Sequence, residues 1–442
     1  MASKLLTPLE NNDDERRVME TLLNTYGALV QQIQAPPATG QRTSNALNPV
    51  NILFTGSTGT IGPYILRALL DRDNVGHVFC LNRAEDGGSS AQMKSFVAAR
   101  LSTTGLDDRT TFIKAALHQP RLGLDESTYK LLQSQVGLII HAAWPVNFKL
   151  PLSGFRPQLV AIVNLLAFAS TASSKFVFIS SIAAVAGKMA EVPLEEVVTN
   201  LDYSAPLGYG RAKLIAELLI DTAVRCFGSR LPATIVRVGQ VAGAVGRPGL
   251  WNPEEWFPSM VLSSLHLRYI PDNLGRFNSV DFVPVDMLGE ITVDLAMATT
   301  AHGTDTTARV FNLRNPYPTP WHELLPAIVN AAATTSILPL QVVAPRIWLA
   351  KLRESADVGD DDVTAAKNPG VKLVDYFGLL WSPSGQVVES TQAPSHPMAI
   401  ERALAASSSL RELQPVGLQW VEKWTKEWMC STEVSHALKP RL

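Results

Sequence analysis

The chain has 442 residues, 46% of them hydrophobic and 18% charged, the composition of a large water-soluble globular protein with two or three lobes. A formal net charge of −2 gives no electrostatic reason to expect nucleic acid or an anionic membrane as a partner. Cys80, Cys226 and Cys430 are few, odd in number and far apart, which argues against a disulfide framework or thiolate metal site and fits a reducing compartment. The eight histidines include no HxxxH or HExxH pair, so no metal site is expected. No stretch reads as a membrane span, and the N-terminal Met-Ala-Ser-Lys lacks an apolar signal core, so the expectation is a cytoplasmic protein or a piece of one.

Residues 1–49 read as a preamble, with an amphipathic helix over 16–30 through Val18, Leu22, Leu23, Tyr26 and Leu29. A linker over 35–48, carrying Pro36, Pro37 and Gly40, follows it, as in a tail arriving from an upstream module. From residue 50 strands and helices alternate. The strands are expected at 52–55, 77–82, 111–115, 136–142, 175–180 and 233–238, and the helices at 63–70, 92–101, 155–170 and 209–226. This order predicts a Rossmann-like, doubly wound parallel sheet over 50–240, with ligands beyond the carboxyl ends of its strands. A smaller, mainly helical lobe is expected over 241–430, with segments that return to the sheet, and a tail over 431–442. In that lobe helices are expected at 258–267, 321–332, 347–352 and 372–380, and a strand at 340–343. The acidic run 357–362 reads as a solvated loop.

The chemistry starts at Gly56-Ser57-Thr58-Gly59-Thr60-Ile61-Gly62, between the first strand and the first sheet helix. A dinucleotide pyrophosphate needs this context: Gly56 for a tight turn, Gly59 for close backbone approach, Gly62 for helix–strand packing, and a helix N-terminus facing the anion. The second strand ends Asn82-Arg83, where an acidic residue would favour NAD; an Arg accommodates the 2′-phosphate, so NADPH is expected. Tyr209 and Lys213 lie four apart and so share a helical face, where an ammonium beside the phenol is expected to lower its pKa. Ser181, at the end of the fifth strand, adds a hydroxyl to the same place.

The glycine loop with Ser181, Tyr209 and Lys213 resembles the extended short-chain dehydrogenase/reductases. Within them the chain is similar to the terminal thioester reductase domain of fungal nonribosomal-peptide-synthetase-like, adenylate-forming reductases. Further segments carry that resemblance: residues 80–83, 141–148, 208–213, 237–243, 251–256, 281–286, 368–373 and 420–424. It implies that Ser181 hydrogen-bonds a thioester carbonyl oxygen, that Tyr209 protonates it, and that Lys213 holds the nicotinamide ribose. His141, Ala142, Ala143, Gly239 and Gln240 would then line the cofactor, while Ser180, Trp144, Val146, Trp251 and Trp256 would face the substrate. The implied partner is an acyl-phosphopantetheine carrier domain, and the product an aldehyde or, after a second reduction, an alcohol. Two positions depart from the pattern: Ala116 stands where many relatives carry an Asp near the adenine, and Ala142 where an Asn is more frequent. Two rival readings are a free-standing reductase, epimerase or dehydratase acting on a small substrate such as a nucleotide sugar, and a cofactor sensor without catalysis. An intact Ser181, Tyr209 and Lys213 argues against the sensor, and the N-terminal linker and further segments argue against the free-standing enzyme.

Overall fold

Ile52, Leu53 and Phe54 have no exposed surface, so the first strand is covered on both faces, as an unbroken apolar run in a parallel sheet requires. The computed structural model describes residues 12–35, 49–187, 192–298, 306–333, 339–357, 368–381 and 398–437. Its main sheet contains β1 (Val50–Thr55), β2 (Val75–Asn82), β3 (Thr110–Lys114), β4 (Val136–His141), β5 (Lys175–Ser181), β6 (Ala233–Val238) and a seventh strand, Arg309–Leu313. Their order is seventh-β6-β5-β4-β1-β2-β3, with every pairing parallel. The chain therefore winds outward in both directions from the β1–β4 pair, and Thr55 sits opposite His141 in its register. A doubly wound sheet opens its ligand crevice at that reversal.

The chain divides into two units, residues 1–239, 288–313 and 396–410 forming the first and 240–287, 314–395 and 411–442 the second. In the first, the sheet is accompanied by α1 (Asn12–Gln31), α2 (Gly62–Leu70), α3 (Ser89–Ala98), α4 (Glu126–Gln135), α5 (Arg156–Ala172) and α6 (Gly208–Phe227). Proline in the first turn starts α2 and α5, where a missing N–H costs nothing, and Asp125 caps α4 by accepting from Thr128 N. The seventh strand, read from sequence as part of the second lobe, is an edge of the main sheet beside β6.

Helix α1 is no loose preamble, because Met19, Leu22, Tyr26 and Val30 are buried in the first unit's core, with α1 lying against α5 and α6. Ion pairs Glu15–Arg211 and Arg16–Asp202, both at 3.0 Å, fix its polar edge. Leu152–Ala172 is apolar and long enough to cross a membrane, which the sequence reading did not expect, yet more than half of its most apolar window is buried here. Its hydrophobicity has a simple cause: α5 lies against β4 and β5 and is itself flanked by α1, α4 and α6.

The second unit is mainly helical, with Trp256–Leu267, Trp321–Ala333, Pro345–Asp357 and Leu418–Ala437 as its main helices. Three two-residue or three-residue strand pairs stitch it: 241–242 with 283–284, 269–271 with 341–343, and 279–280 with 319–320. Its core is aromatic, built on Phe257, Trp321, Trp348, Trp424 and Trp428, all nearly or fully buried. Nearly all of the expected linker over 35–48, most of the acidic run and the tail beyond residue 437 lie outside the described residues.

Candidate active site

The glycine loop closes the crevice between β1 and β4. Gly56 has φ +85°, and a Cβ on it would come within 2.7 Å of Ala142 C and Ala143 N, so the loop lies directly on the β4 extension. At Gly62 a Cβ would meet Ser57 O at 2.2 Å. Gly59 is different: the nearest atom to a Cβ there would be Gly56 O at 3.4 Å. Nothing inside the protein requires its missing side chain. The bare backbone at Gly59, with α2 starting three residues on, fits a pyrophosphate that must approach the chain closely.

Asn82 ties this loop to the next one. Its Nδ2 donates to Ser57 Oγ at 2.9 Å and Gly87 O at 2.8 Å, and Thr58 Oγ1 reaches its Oδ1 at 3.5 Å. Gly87 and Gly88 both have positive φ, and Asp86 accepts from the N–H groups of Ser90 and Gly88, which holds its carboxyl well below the usual range. Arg83 leaves β2 at the start of this braced turn, exposed and without an ion pair among the described residues. Ala116, at the end of the third strand, pairs its N–H with Leu122 O at 2.8 Å and offers no side-chain donor.

Ser181 ends β5, its Oγ accepting from Ala183 N at 3.2 Å, and Tyr209 opens α6. Tyr209 is 6% exposed, and burial pushes its phenol up to about 12, opposed by the Ser181 hydrogen bond. Two backbone approaches fix the phenol. A Cβ on Gly208 would sit 2.3 Å from Leu150 O, and one on Gly210 2.6 Å from Ala183 O, so neighbouring turns press on α6 at either side of Tyr209.

Lys213 is also buried. Its Nζ donates to Ile179 O at 2.6 Å and lies 4.4 Å from the ring centres of both Trp144 and Phe178, but 5.9 Å from that of Tyr209. This corrects the expected lowering of the phenol pKa, because burial dominates and the ammonium is spent on a carbonyl and two other rings. Burial holds the Lys213 pKa well below the ordinary value, with Glu217 pulling the other way.

Behind Lys213 lies a pair that sequence reasoning missed. Glu217 accepts from Arg237 Nε at 3.0 Å and Nη2 at 2.7 Å, and from Ser180 Oγ at 2.5 Å, with both charged side chains at 0% exposure. The Ser180 hydroxyl, assigned to the substrate from sequence, is thus taken by Glu217. The signal was present: Glu217 follows Lys213 by four, extending the Tyr209–Lys213 face of α6 by one turn. His141 is fully buried, its Nδ1 2.7 Å from Thr55 Oγ1 and its Nε2 without a hydrogen-bond partner among the described residues; burial, then the Lys213 charge, lower its pKa to about 3. Ala142, Ala143 and Trp144 are half-buried along the same β4 extension, and Val146 is exposed.

In the second unit, Gln240 Oε1 accepts from Trp256 Nε1 at 2.8 Å while its Nε2 donates to Val241 O at 2.8 Å. Trp256 stacks on Phe277 with centroids 4.6 Å apart. Trp251 is a core side chain, packed on Phe257 and Trp424 and bonded through Nε1 to Glu255 at 3.0 Å.

A family model described as male sterility protein, an NAD-binding family, matches residues 54–292, from the glycine loop onward. The chain belongs to this family. Male sterility proteins are thereby its kin, and a nicotinamide dinucleotide is its cofactor class, in a Rossmann-like, doubly wound parallel sheet. A carboxylic acid reductase of Neurospora crassa is 32% identical over 427 residues, covering 94% of this chain and 38% of that protein. The chain thus spans well under half the length of that relative. Among solved structures, the terminal R domain of the myxalamid PKS-NRPS pathway aligns with TM-score 0.71 at 21% identity, over 96% of this chain and 99% of that one. A thiolation-reductase di-domain from an archaeal nonribosomal peptide synthetase aligns with TM-score 0.63 at 16% identity, over 96% of this chain and 81% of that one. Both likenesses are of fold. The male sterility match begins at Phe54 and so contains every glycine of the loop, together with Ser181, Tyr209 and Lys213.

Proposed function

We propose that this chain is a thioester reductase that uses NADPH to release a carrier-bound acyl group as an aldehyde. The reading is supported by Ser181 at the end of β5 and the buried Tyr209 in the first turn of α6, whose phenol is held above its ordinary pKa by burial, in a chain that shares the glycine loop of a nicotinamide-binding family. The Neurospora relative, a carboxylic acid reductase, supports a substrate at the acid oxidation level. The neighbour that joins a thiolation to a reductase domain supports a phosphopantetheine carrier as the source of the thioester.

A bound nicotinamide supplies the hydride. The Ser181 hydroxyl donates to the thioester oxygen and stabilises the negative charge that grows there. Tyr209, protonated at any ordinary pH, then hands its proton to that oxygen, which suits a general acid better than a base. The thiohemiacetal breaks its C–S bond, giving the aldehyde and the carrier thiol. Lys213, which donates to Ile179 O in this structure, would hold the nicotinamide ribose. Ser57, Thr58, Gly59, Thr60 and Ile61 would cradle the pyrophosphate, and Arg83, exposed at the end of β2, would take the 2′-phosphate that separates NADPH from NADH.

The test is acyl-pantetheine and acyl-carrier thioesters with NADPH, following nicotinamide absorbance and identifying the product. Tyr209→Phe should lose about 100-fold or more of turnover, the usual worth of a positioned acid, with NADPH affinity little changed. Normal turnover by that variant, or no consumption of any thioester by the parent protein, overturns the proposal.

A further inference from the structure

Tyr209 has two aromatic neighbours of opposite character. Phe155 is fully buried behind it, with centroids 6.2 Å apart. Phe148 stands edge-on to the phenol ring at 5.3 Å and 89°, yet 54% of it is exposed. Val146, on the same segment, is 71% exposed, and Leu207, two residues before Tyr209, is 39% exposed. Large apolar side chains rarely gather in the open without a function. The segments that carry these three residues are pressed together, since a Cβ on Gly208 would sit 2.3 Å from Leu150 O.

Phe148 is also held in place. Asn147 Oδ1 accepts from Lys149 N at 2.9 Å, a side-chain-to-backbone turn that fixes the residue between them. A rigid turn presenting an exposed ring beside the proton donor is suited to gripping whatever is attached to the reacting carbon. That carbon must lie within reach of the Tyr209 hydroxyl, so the group it carries extends over the face that Phe148 shares with the phenol.

We infer that Phe148, with Val146 and Leu207, forms an apolar rest for the acyl group and selects aliphatic or aromatic acyl thioesters over polar ones. The inference rests on the thioester reductase reading and names the substrate class of that same site. Phe148 has no proton to donate; it positions the acyl chain and sets its preferred chemistry.

Two measurements test it together. Turnover with NADPH is measured for acetyl, hexanoyl, benzoyl and succinyl pantetheine thioesters, and calorimetry measures binding of the matching thioether analogues, which cannot be reduced. The parent protein should prefer hexanoyl and benzoyl to succinyl in both. Phe148→Ser should weaken hexanoyl and benzoyl about ten-fold in kcat/KM and in analogue affinity while leaving acetyl within about two-fold, and Phe148→Leu should restore most of the loss. If the parent reduces thioesters but Phe148→Ser changes all four alike, or none, the apolar rest is refuted and the reductase stands. If analogues bind with the Phe148-dependent preference but no thioester is reduced, the rest stands and the reductase reading falls. Absence of both binding and turnover overturns both.

Discussion

Replacing Glu217 by Gln leaves the Arg237 guanidinium in the interior with no countercharge. Both side chains have no exposed surface, and the carboxylate accepts the Arg237 Nε and Nη2 hydrogen bonds as well as that of Ser180. Removing one partner of such a buried pair costs about 3–5 kcal/mol, because the surviving charge has already given up its water. At about 2–4 °C per kcal/mol for a domain of this size class, the first unit should melt on the order of 10 °C lower, read by calorimetry. Glu217→Leu with Arg237→Leu removes both charges and should recover most of the loss, short by about 1 kcal/mol for the Ser180 hydroxyl left without its acceptor. The single variant should also depress the Lys213 pKa further, since Glu217 is the group that raises it. A loss under about 1 kcal/mol for Glu217→Gln, or a double variant no better than the single one, would refute the claim that this pair is dry and mutually dependent.

The glycines should separate by role. Gly62→Ala sets a Cβ 2.2 Å from Ser57 O and should lower the melting temperature markedly, whereas Gly59→Ala should melt normally but bind NADPH at least about ten-fold more weakly by fluorescence titration. Acid should weaken the fold through His141. Its folded pKa, about 3, lies below the unfolded value near 6.5, so its contribution is intact above pH 6.5 and is lost as pH falls through that window. At about 1.4 kcal/mol per unit, roughly 3 kcal/mol should be gone by pH 4, and urea midpoints for His141→Asn should fall less steeply over the same range. Arg83→Ala should raise the Kd for NADPH about ten-fold or more while leaving NADH nearly unchanged; an equal effect on both would remove the basis for the NADPH assignment.

The sheet was legible because its strands are unbroken apolar runs and its helices carry their own periodicity, and the glycine loop because its spacing follows such a run. Tyr209 and Lys213 could be placed on one helical face by counting. Their ionisation could not, since it depends on burial by groups distant in sequence, among them Phe178 on β5 and Trp144 on the segment after β4, which both face Lys213. Ser180 was misread for want of one simple rule: adjacent strand residues face opposite sides, so a site that takes Ser181 turns Ser180 toward Glu217. The seventh strand was hard to assign because seventy residues separate it from β6, and local pattern carries no pairing information. Helix α1 was recognised as amphipathic, but which surface its stripe would meet is a property of α5 and α6.

The seating of α1 has a practical bearing on how this module can be cut and transplanted. A fragment started at β1 would strip the cover from the flank where Met19, Leu22, Tyr26 and Val30 rest, leaving a greasy wound prone to self-association. Chimaeric enzymes that borrow the module should therefore place their junction upstream of residue 12.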